Sequence, residues 1–90
     1  MSKIIVTIVG KDQVGIVAKV CNYLADKNIN ILDITQTILQ GYFNMMMIVD
    51  VSGMTGSFDA MQQEMADLGN SMGLRIQCQR EEIFESMHRL

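Results

Sequence analysis

Tryptophan and proline are absent from the 90-residue chain, and histidine and cysteine occur only once and twice. Two Tyr and three Phe are the only aromatic residues, so a platform for stacking single-stranded bases is not expected. Seven Lys and Arg stand against ten Asp and Glu, which gives a net charge of -3. A nucleic-acid surface needs clustered basic residues to displace counterions, whereas these are scattered from Lys3 to Arg89. The sequence therefore predicts no nucleic-acid partner.

The two cysteines, Cys21 and Cys78, lie far apart, and neither has a second Cys or His at the spacing of a metal site. We interpret both as reduced thiols, which are typical of a reducing compartment. The apolar run over 4–9 is too short for a signal peptide, and no run approaches the roughly 20 residues that span a bilayer. These features predict a cytoplasmic protein with no metal, no cofactor and no membrane contact.

Apolar residues make up 49% of the chain and charged residues 19%, which is typical of a globular protein. The length predicts a single domain over 1–90. A domain of this size buries only roughly 60–65% of the surface of its unfolded chain, so a partner subunit would add stability.

Four strands are predicted, two central and two outer. Residues 3–9 are almost all β-branched and 43–51 are apolar on both faces through the middle, which is typical of central strands. Residues 30–39 alternate, with Asn30, Leu32, Ile34, Gln36 and Ile38 on one face, and 74–79 alternate in the same way. Such alternation indicates outer strands with one solvated face, and residues 40–42 form a hairpin connection between the middle strands.

Two helices are predicted from apolar residues at helical spacing. The first, over 14–27, should follow a cap at Asp12 or Gln13 and bury Val14, Val17, Val20, Cys21 and Leu24. The second, over 58–72, should begin after Ser57 and end at Gly73. A short third helix is expected in the tail over 81–90, with Ile83, Phe84 and Met87 on one side.

The order β-α-β-β-α-β predicts an α+β, ferredoxin-like sandwich with a four-stranded antiparallel sheet and both helices on one face. The opposite face of the sheet would carry Ile5, Val9, Met46 and Ile48, or the residues that alternate with them if the register differs. Such a patch is too apolar for the surface of a monomer. We therefore expect the tail helix or a second subunit to cover it, and predict a homodimer or larger homo-oligomer.

The segment 10–15, which connects the first strand to the first helix, is the strongest local motif. Its glycine spacing matches the start of a phosphate loop, but Ile16 and Val17 stand where Lys and Ser or Thr are needed, which argues against nucleotide binding. The simplest interpretation is a tight turn. The turn also presents backbone N–H groups at the positive end of a helix, where a small carboxylate can bind.

No catalytic set is visible. His88 lies near the C-terminus, and the Ser and Thr residues lack an evident neighbouring base. The methionines follow strand and helix periodicity, which favours core filling over copper binding. Metallochaperones of this topology need paired cysteines in the first loop and acylphosphatases need an arginine there, whereas this loop holds Lys11, Asp12 and Gln13. A non-enzymatic protein is therefore expected.

Residues 6–18, V-T-I-V-G-K-D-Q-V-G-I-V-A, resemble the opening of an ACT domain, in which a strand precedes a G-x-D-x-x-G-[IL]-[VL] turn into a helix. Residues 27–34, K-N-I-N-I-L-D-I, resemble the family's second signature, at the start of the second strand. Residues 83–89 are similar to the ending of a stand-alone bacterial group of similar length, uncharacterised and related to the ACT modules of glycine-cleavage repressor-like proteins. The resemblance covers the whole chain.

This resemblance implies a regulatory module that binds an amino acid or similar small metabolite where two subunits meet. The ligand-binding residues that it implies are Gly10, Lys11, Asp12, Gln13, Val14 and Gly15 in the turn, with Asn28, Asn30 and Ile31 from the same or the neighbouring chain. Most ACT domains are attached to an enzyme or a DNA-binding module, so this chain would act on a separate enzyme or regulator. The alternative is an interaction or oligomerisation module that has lost ligand binding.

Overall fold

A computed structural model describes residues 2–81, and beyond Glu81 the expected tail helix lies outside the described residues. The six elements follow the predicted order: β1 (Lys3–Lys11), α1 (Ile16–Asp26), β2 (Asn30–Leu39), β3 (Tyr42–Asp50), α2 (Phe58–Met72) and β4 (Arg75–Arg80). The strands form one antiparallel sheet in the order β2-β3-β1-β4. The ferredoxin-like fold is therefore confirmed, with β1 and β3 in the centre.

A single apolar core joins one face of the sheet to both helices. The sheet contributes alternate residues of its strands: Ile4, Val6, Ile8, Phe43, Met45, Met47, Val49, Ile76 and Cys78. The helices contribute Ile16, Val20, Leu24, Met61, Met65 and Met72. Among residues 2–81 no polar or charged residue is buried, so apolar packing holds the two layers together.

Helix α1 begins later than predicted, and its buried face is different. Gly15 is the N-cap residue and has a left-handed conformation, with φ 93°, which a residue without a Cβ adopts readily. The prediction that Asp12 or Gln13 caps the helix is wrong, because the chain turns after them. Val14 lies in this turn and is fully exposed, so it does not continue the apolar stripe.

The inner face of α1 consists of Ile16, Val20 and Leu24, spaced four residues apart. Val17 is exposed and Cys21 is only half-buried, so the predicted burial of Val17 is wrong. Starting the helix at Ile16 selects this stripe instead of the one through Val14 and Val17.

Helix α2 begins and ends as predicted. The Ser57 hydroxyl accepts a hydrogen bond from the Ala60 N–H at 3.1 Å, which caps the first turn. Gly73 ends the helix with a φ of 70°. Gly69, near the end of the helix, lies so close to β4 that a Cβ on it would stand 2.8 Å from the Leu74 carbonyl oxygen. The absence of a side chain at position 69 therefore lets α2 pack directly against the start of β4.

The β2–β3 hairpin turns through Gln40 and Gly41, whose φ angles are 51° and 81°. Two positive φ values in a two-residue loop are typical of a type I′ turn, which matches the twist of the strands that it joins. The hairpin connection that the sequence predicts is confirmed, and Tyr42 belongs to β3.

Strand β2 forms one edge of the sheet, and Ile31 is its only residue that is not exposed. A bulge between Ile31 and Asp33 shifts the pairing with β3, so that Asn30 lies opposite Asp50 but Ile34 lies opposite Met47. Asp50 and Met47 point to opposite faces of β3. The prediction that Asn30 shares a face with Ile34 is therefore wrong, because the bulge inserts an extra residue.

The sheet face away from the core carries the apolar residues that the sequence placed there. Ile5 lies opposite Ile48, and Thr7 lies opposite Met46, so Ile5, Val9, Met46 and Ile48 share this face. Val9 is 49% exposed and Met46 is 39% exposed. Ile5 is only 5% exposed, so Val9 and Met46 are the exposed members of this surface, which we call the open face.

Candidate functional site

The predicted ligand loop begins inside β1, because Gly10 and Lys11 are its last two residues. Gly10 pairs with Phe43, and a Cβ on it would stand 2.6 Å from the Leu74 Cδ2 atom. The absence of a side chain at position 10 therefore lets β1 end directly against the corner between α2 and β4. Lys11 pairs with Tyr42 at the tip of the hairpin, and both are exposed.

Residues 12–15 form the loop proper, which we call the α1 loop. On one side, the Asp12 N–H donates to the Gly41 carbonyl in the hairpin at 2.8 Å. On the other side, the Gln13 side-chain nitrogen Nε2 donates to the Met72 carbonyl at the end of α2 at 2.7 Å. The α1 loop is thus fixed between two corners of the fold at the same end of the sheet.

The amino end of α1 has no side-chain cap. Its N-cap residue is Gly15, and the first turn contains no acidic residue. The first hydrogen bond of the helix runs from the Lys19 N–H to the Gly15 carbonyl at 3.0 Å. The N–H groups of Ile16, Val17 and Ala18 therefore have no carbonyl acceptor within the helix, and they lie at the positive end of the helix dipole.

The second predicted group lies at the other end of the sheet. Asn28 has a φ of 60°, just after α1 ends, and its Nδ2 atom donates to the Gly53 carbonyl at 2.9 Å. Asn30 pairs with Asp50, and Ile31 pairs with Val49, in the rows next to the start of β1. Within one chain the structure brings Gly10–Gly15 together but separates them from Asn28, Asn30 and Ile31.

A polar cluster that the sequence did not predict joins the two helices. The Tyr23 hydroxyl donates to the Glu64 Oε1 atom at 2.6 Å, and the Lys27 ammonium lies 3.3 Å from the same oxygen. Burial and the adjacent carboxylate raise the pKa of Tyr23, while the Tyr23 and Lys27 donors lower the pKa of Glu64. Tyr23 and Glu64 are 41 positions apart, so no local pattern could have indicated the contact.

Two features of residues 2–81 bear on the chemistry available to them, the absence of a metal-ligand cluster and the burial of Cys78. Within residues 2–81 no three His, Cys, Asp or Glu side chains are close enough to hold a metal ion. Burial raises the pKa of the Cys78 thiol to about 12, so it is a poor nucleophile. None of the helices in this part of the chain has the length and apolar character required to cross a membrane.

A cavity of about 300 Å³ lies at the opposite edge of the molecule from β2. Its lining comprises Gln62 of α2 and Ile76–Gln79 of β4. None of these residues belongs to the predicted ligand site. In the α1 loop, Asp12, Gln13 and Val14 are exposed in the single chain.

Comparisons with known proteins are consistent with this architecture. The family model of the ACT domain matches residues 2–79. A UPF0237 protein from Bifidobacterium longum is 58% identical over 90 residues, which cover all of both chains. Among solved structures, an ACT domain protein from Streptococcus pneumoniae is 40% identical, with a TM-score of 0.80 over 93% of this chain and 94% of that one.

A formyltetrahydrofolate deformylase from Pseudomonas syringae shares the fold, with a TM-score of 0.82 and 23% identity. The match covers 89% of this chain but only 28% of the deformylase. The same fold therefore occurs as one part of a much longer protein.

Proposed function

Because the chain belongs to the ACT domain family, we propose that it is a non-enzymatic regulatory module of the cytoplasm. It binds a free amino acid or a similar small metabolite between two copies of the chain and acts on a separate enzyme or regulator. The observation that carries the proposal is the α1 loop, which is fixed at both sides and leads into a helix end without a side-chain cap.

The amino end of α1 supports binding of the ligand's carboxylate. The N–H groups of residues 16–18 have no acceptor within the helix, and the helix dipole adds positive potential at the same point. The exposed Asp12 carboxylate, or an asparagine carbonyl, accepts from the ammonium group of the ligand. So few atoms contribute that we expect dissociation constants of about micromolar to millimolar.

The separation of the two predicted groups supports a site that needs two chains. The nine residues of β1 span about 27 Å, so one small ligand cannot contact Gly10–Gly15 and Asn30 of the same chain. Asn30 lies at the end of the sheet where β1 starts, and the α1 loop lies at the end where β1 finishes. A second copy that pairs its own β2 antiparallel to this one brings its Asn30 to the same end as the α1 loop.

The pattern of β2 supports this pairing. Leu39 and Tyr42 close the two-residue hairpin, so the backbone groups of Ile34, Gln36 and Ile38 point away from β3. The regular part of β2 runs from the bulge to the hairpin, Asp33–Leu39, and Gln36 is its midpoint. A twofold axis at Gln36 places Ile34, 42% exposed, opposite the second copy's Ile38, 52% exposed. This self-pairing buries apolar side chains against each other and extends the sheet to eight strands.

The two edges of the sheet differ in how they are protected. On β4, the Gln62 amide donates to the outward Cys78 carbonyl at 3.1 Å. On β2, the Asp33 carboxylate accepts from the outward Ile34 N–H at 2.9 Å, and the strand is longer. If two copies pair through β2, the Ile34 N–H exchanges its bond to the Asp33 carboxylate for a bond to a backbone carbonyl. This small cost favours β2 over β4 as the dimer edge.

A cross-linking experiment tests the register. In a Cys21→Ser background, Gln36→Cys should form a disulfide-linked dimer on mild oxidation, because two copies of position 36 face each other across the axis. Gln77→Cys, exposed on β4, is the matched control and should stay monomeric on a non-reducing gel. Cross-linking of Gln77→Cys with none for Gln36→Cys would contradict pairing through β2.

Calorimetry with each standard amino acid tests ligand binding, and mixed dimers test the shared site. Val17→Glu places a carboxylate in the first turn of α1, which favours the helix but competes with the ligand. Asn30→Ala removes the contribution of the second copy. Each variant alone should bind nothing, whereas a refolded equal mixture should regain about a quarter of the sites, because half of the dimers then carry one intact site. No heat from the wild-type dimer with any amino acid would refute the sensor function.

The second candidate function, an interaction module without a ligand, is favoured by the exposed Val9 and Met46 on the open face. Under this alternative, Met46→Lys abolishes association with the partner protein while Val17→Glu leaves it unchanged. The sensor function predicts that Val17→Glu alters association. Quantitative binding of the purified partner to both variants separates the two.

A further inference from the structure

The contact between Gln13 and Met72 joins the α1 loop to the carboxyl end of α2. Carbonyls in the last turn of a helix have no partner within the helix. At the end of α2, the Leu74 N–H donates to the Gly69 carbonyl at 2.8 Å, and the Gln13 amide donates to the Met72 carbonyl at 2.7 Å. A residue of the candidate ligand loop therefore completes the cap of a helix 59 positions away in the sequence.

The surroundings of this bond leave little room for movement. Just before the loop, Gly10 packs so closely that a Cβ would stand 3.3 Å from the Gly73 carbonyl oxygen and 2.6 Å from Leu74. On the far side, the Asp12 N–H holds the hairpin carbonyl of Gly41 at 2.8 Å. The contacts of Gly10 and Asp12 are made by backbone, so Gln13 provides the side-chain attachment that a substitution can remove without changing the chain path.

We propose that Gln13 is a positioning residue that couples the ligand site to the corner between α2 and β4, Met72–Leu74. This inference rests on the proposed function. The Gln13 nitrogen is committed to Met72, so Gln13 acts by holding the N–H groups of residues 16–18 in place rather than by donating to the ligand. A ligand that binds more tightly when this contact is made also stabilises the cap of α2, and by reciprocity a partner bound at this corner alters the ligand's affinity.

Gln13→Glu makes the contact switchable. A protonated carboxyl donates to the Met72 carbonyl as the amide does, whereas a carboxylate has no proton to donate and repels the carbonyl oxygen. At neutral pH, the backbone amide NMR signals of Ile16 and Val17 should shift together with those of Gly73 and Leu74, and should return toward wild-type positions in acid. Gln13→Met keeps the length of the side chain without a donor, and it should show the same shifts at every pH.

Gln63→Glu is the matched control, because Gln63 lies on the exposed side of α2 and bonds only along its own helix, to Asp67. It adds the same charge and should leave the four amide signals unchanged. Shifts in Gln13→Glu that are confined to the loop, with Gly73 and Leu74 unmoved, would overturn the coupling.

A second measurement addresses affinity. The ligand is the amino acid that gives heat with the wild type. At neutral pH, Gln13→Glu should bind it about tenfold more weakly than Gln63→Glu does. At acid pH, the affinities of the two variants should become similar, because the protonated carboxyl at position 13 donates to Met72 again. Equal affinity of both variants at neutral pH would overturn the positioning role. The NMR comparison uses no ligand, so a wild type that binds no amino acid refutes the proposed function while the amide shifts still decide the coupling.

Discussion

Replacing Gly69 by Ala sets two physical effects of known size against each other. Gly69 lies within α2, where Ala is favoured over Gly by about 1 kcal/mol because the unfolded chain loses less backbone freedom. The added Cβ, however, would stand 2.8 Å from the Leu74 carbonyl oxygen and 3.0 Å from the Ile76 Cγ1 atom. The first of these is a backbone atom, so relief requires the strand to move.

The strand cannot move freely, because the Leu74 N–H donates to the Gly69 carbonyl itself at 2.8 Å. Overpacking of this kind costs about 1–3 kcal/mol. The clash therefore outweighs the gain in helix propensity, and we expect Gly69→Ala to lower the free energy of unfolding by about 1 kcal/mol. For a domain of this size, that corresponds to a melting temperature about 4–8 °C lower.

Urea denaturation followed by far-ultraviolet circular dichroism, at fixed chain concentration, measures the effect. Asn70→Ala is the matched control, since Asn70 is exposed on the same turn and gains helix propensity without the clash. Its midpoint should rise slightly. A rise of similar size in Gly69→Ala would show that the corner between α2 and β4 yields without cost, and the close-packing explanation would be wrong.

Two other predictions concern titratable groups. Donors from the Ser52 hydroxyl and backbone lower the pKa of Asp50, so Asp50 contributes stability above its ordinary pKa that is lost as the pH falls through the lowered value. Ser52→Ala should raise the pKa of Asp50 and weaken the acid dependence of stability below about pH 4, and an unchanged carboxyl titration by NMR would contradict this. Burial raises the pKa of Cys78 to about 12, so native alkylation should modify the half-buried Cys21 first. Mass mapping that finds Cys78 labelled before denaturant is added would refute its burial.

Most of the fold could be predicted because it depends on local periodicity. The double-sided apolar runs identified the central strands, and Ser57 and Gly73 marked the ends of α2. The start of α1 could not be predicted in the same way. The left-handed turn at Gly15 changes the phase of the helix, and the sequence offers two apolar stripes of similar quality.

The candidate site was predictable only in part. The turn Gly10–Gly15 could be recognised from its glycine spacing, and in the structure these residues connect β1 to α1 as predicted. The long-range contact of Gln13 with Met72 has no local signal, and neither does the distance of Asn30 from the turn. The bulge after Ile31 was also invisible, because nothing in the alternation of β2 distinguishes an inserted residue from a regular one.

Among residues 2–81, four methionines are fully buried in the core between the sheet and the helices: Met45, Met47, Met61 and Met65. Thioethers are flexible and polarisable, so this interior adapts to neighbouring substitutions more easily than one built from branched side chains. It also makes the fold sensitive to peroxide. A sulfoxide is polar and has no partner there, so oxidation of any of these sulfurs would favour the unfolded chain until a reductase restored the thioether.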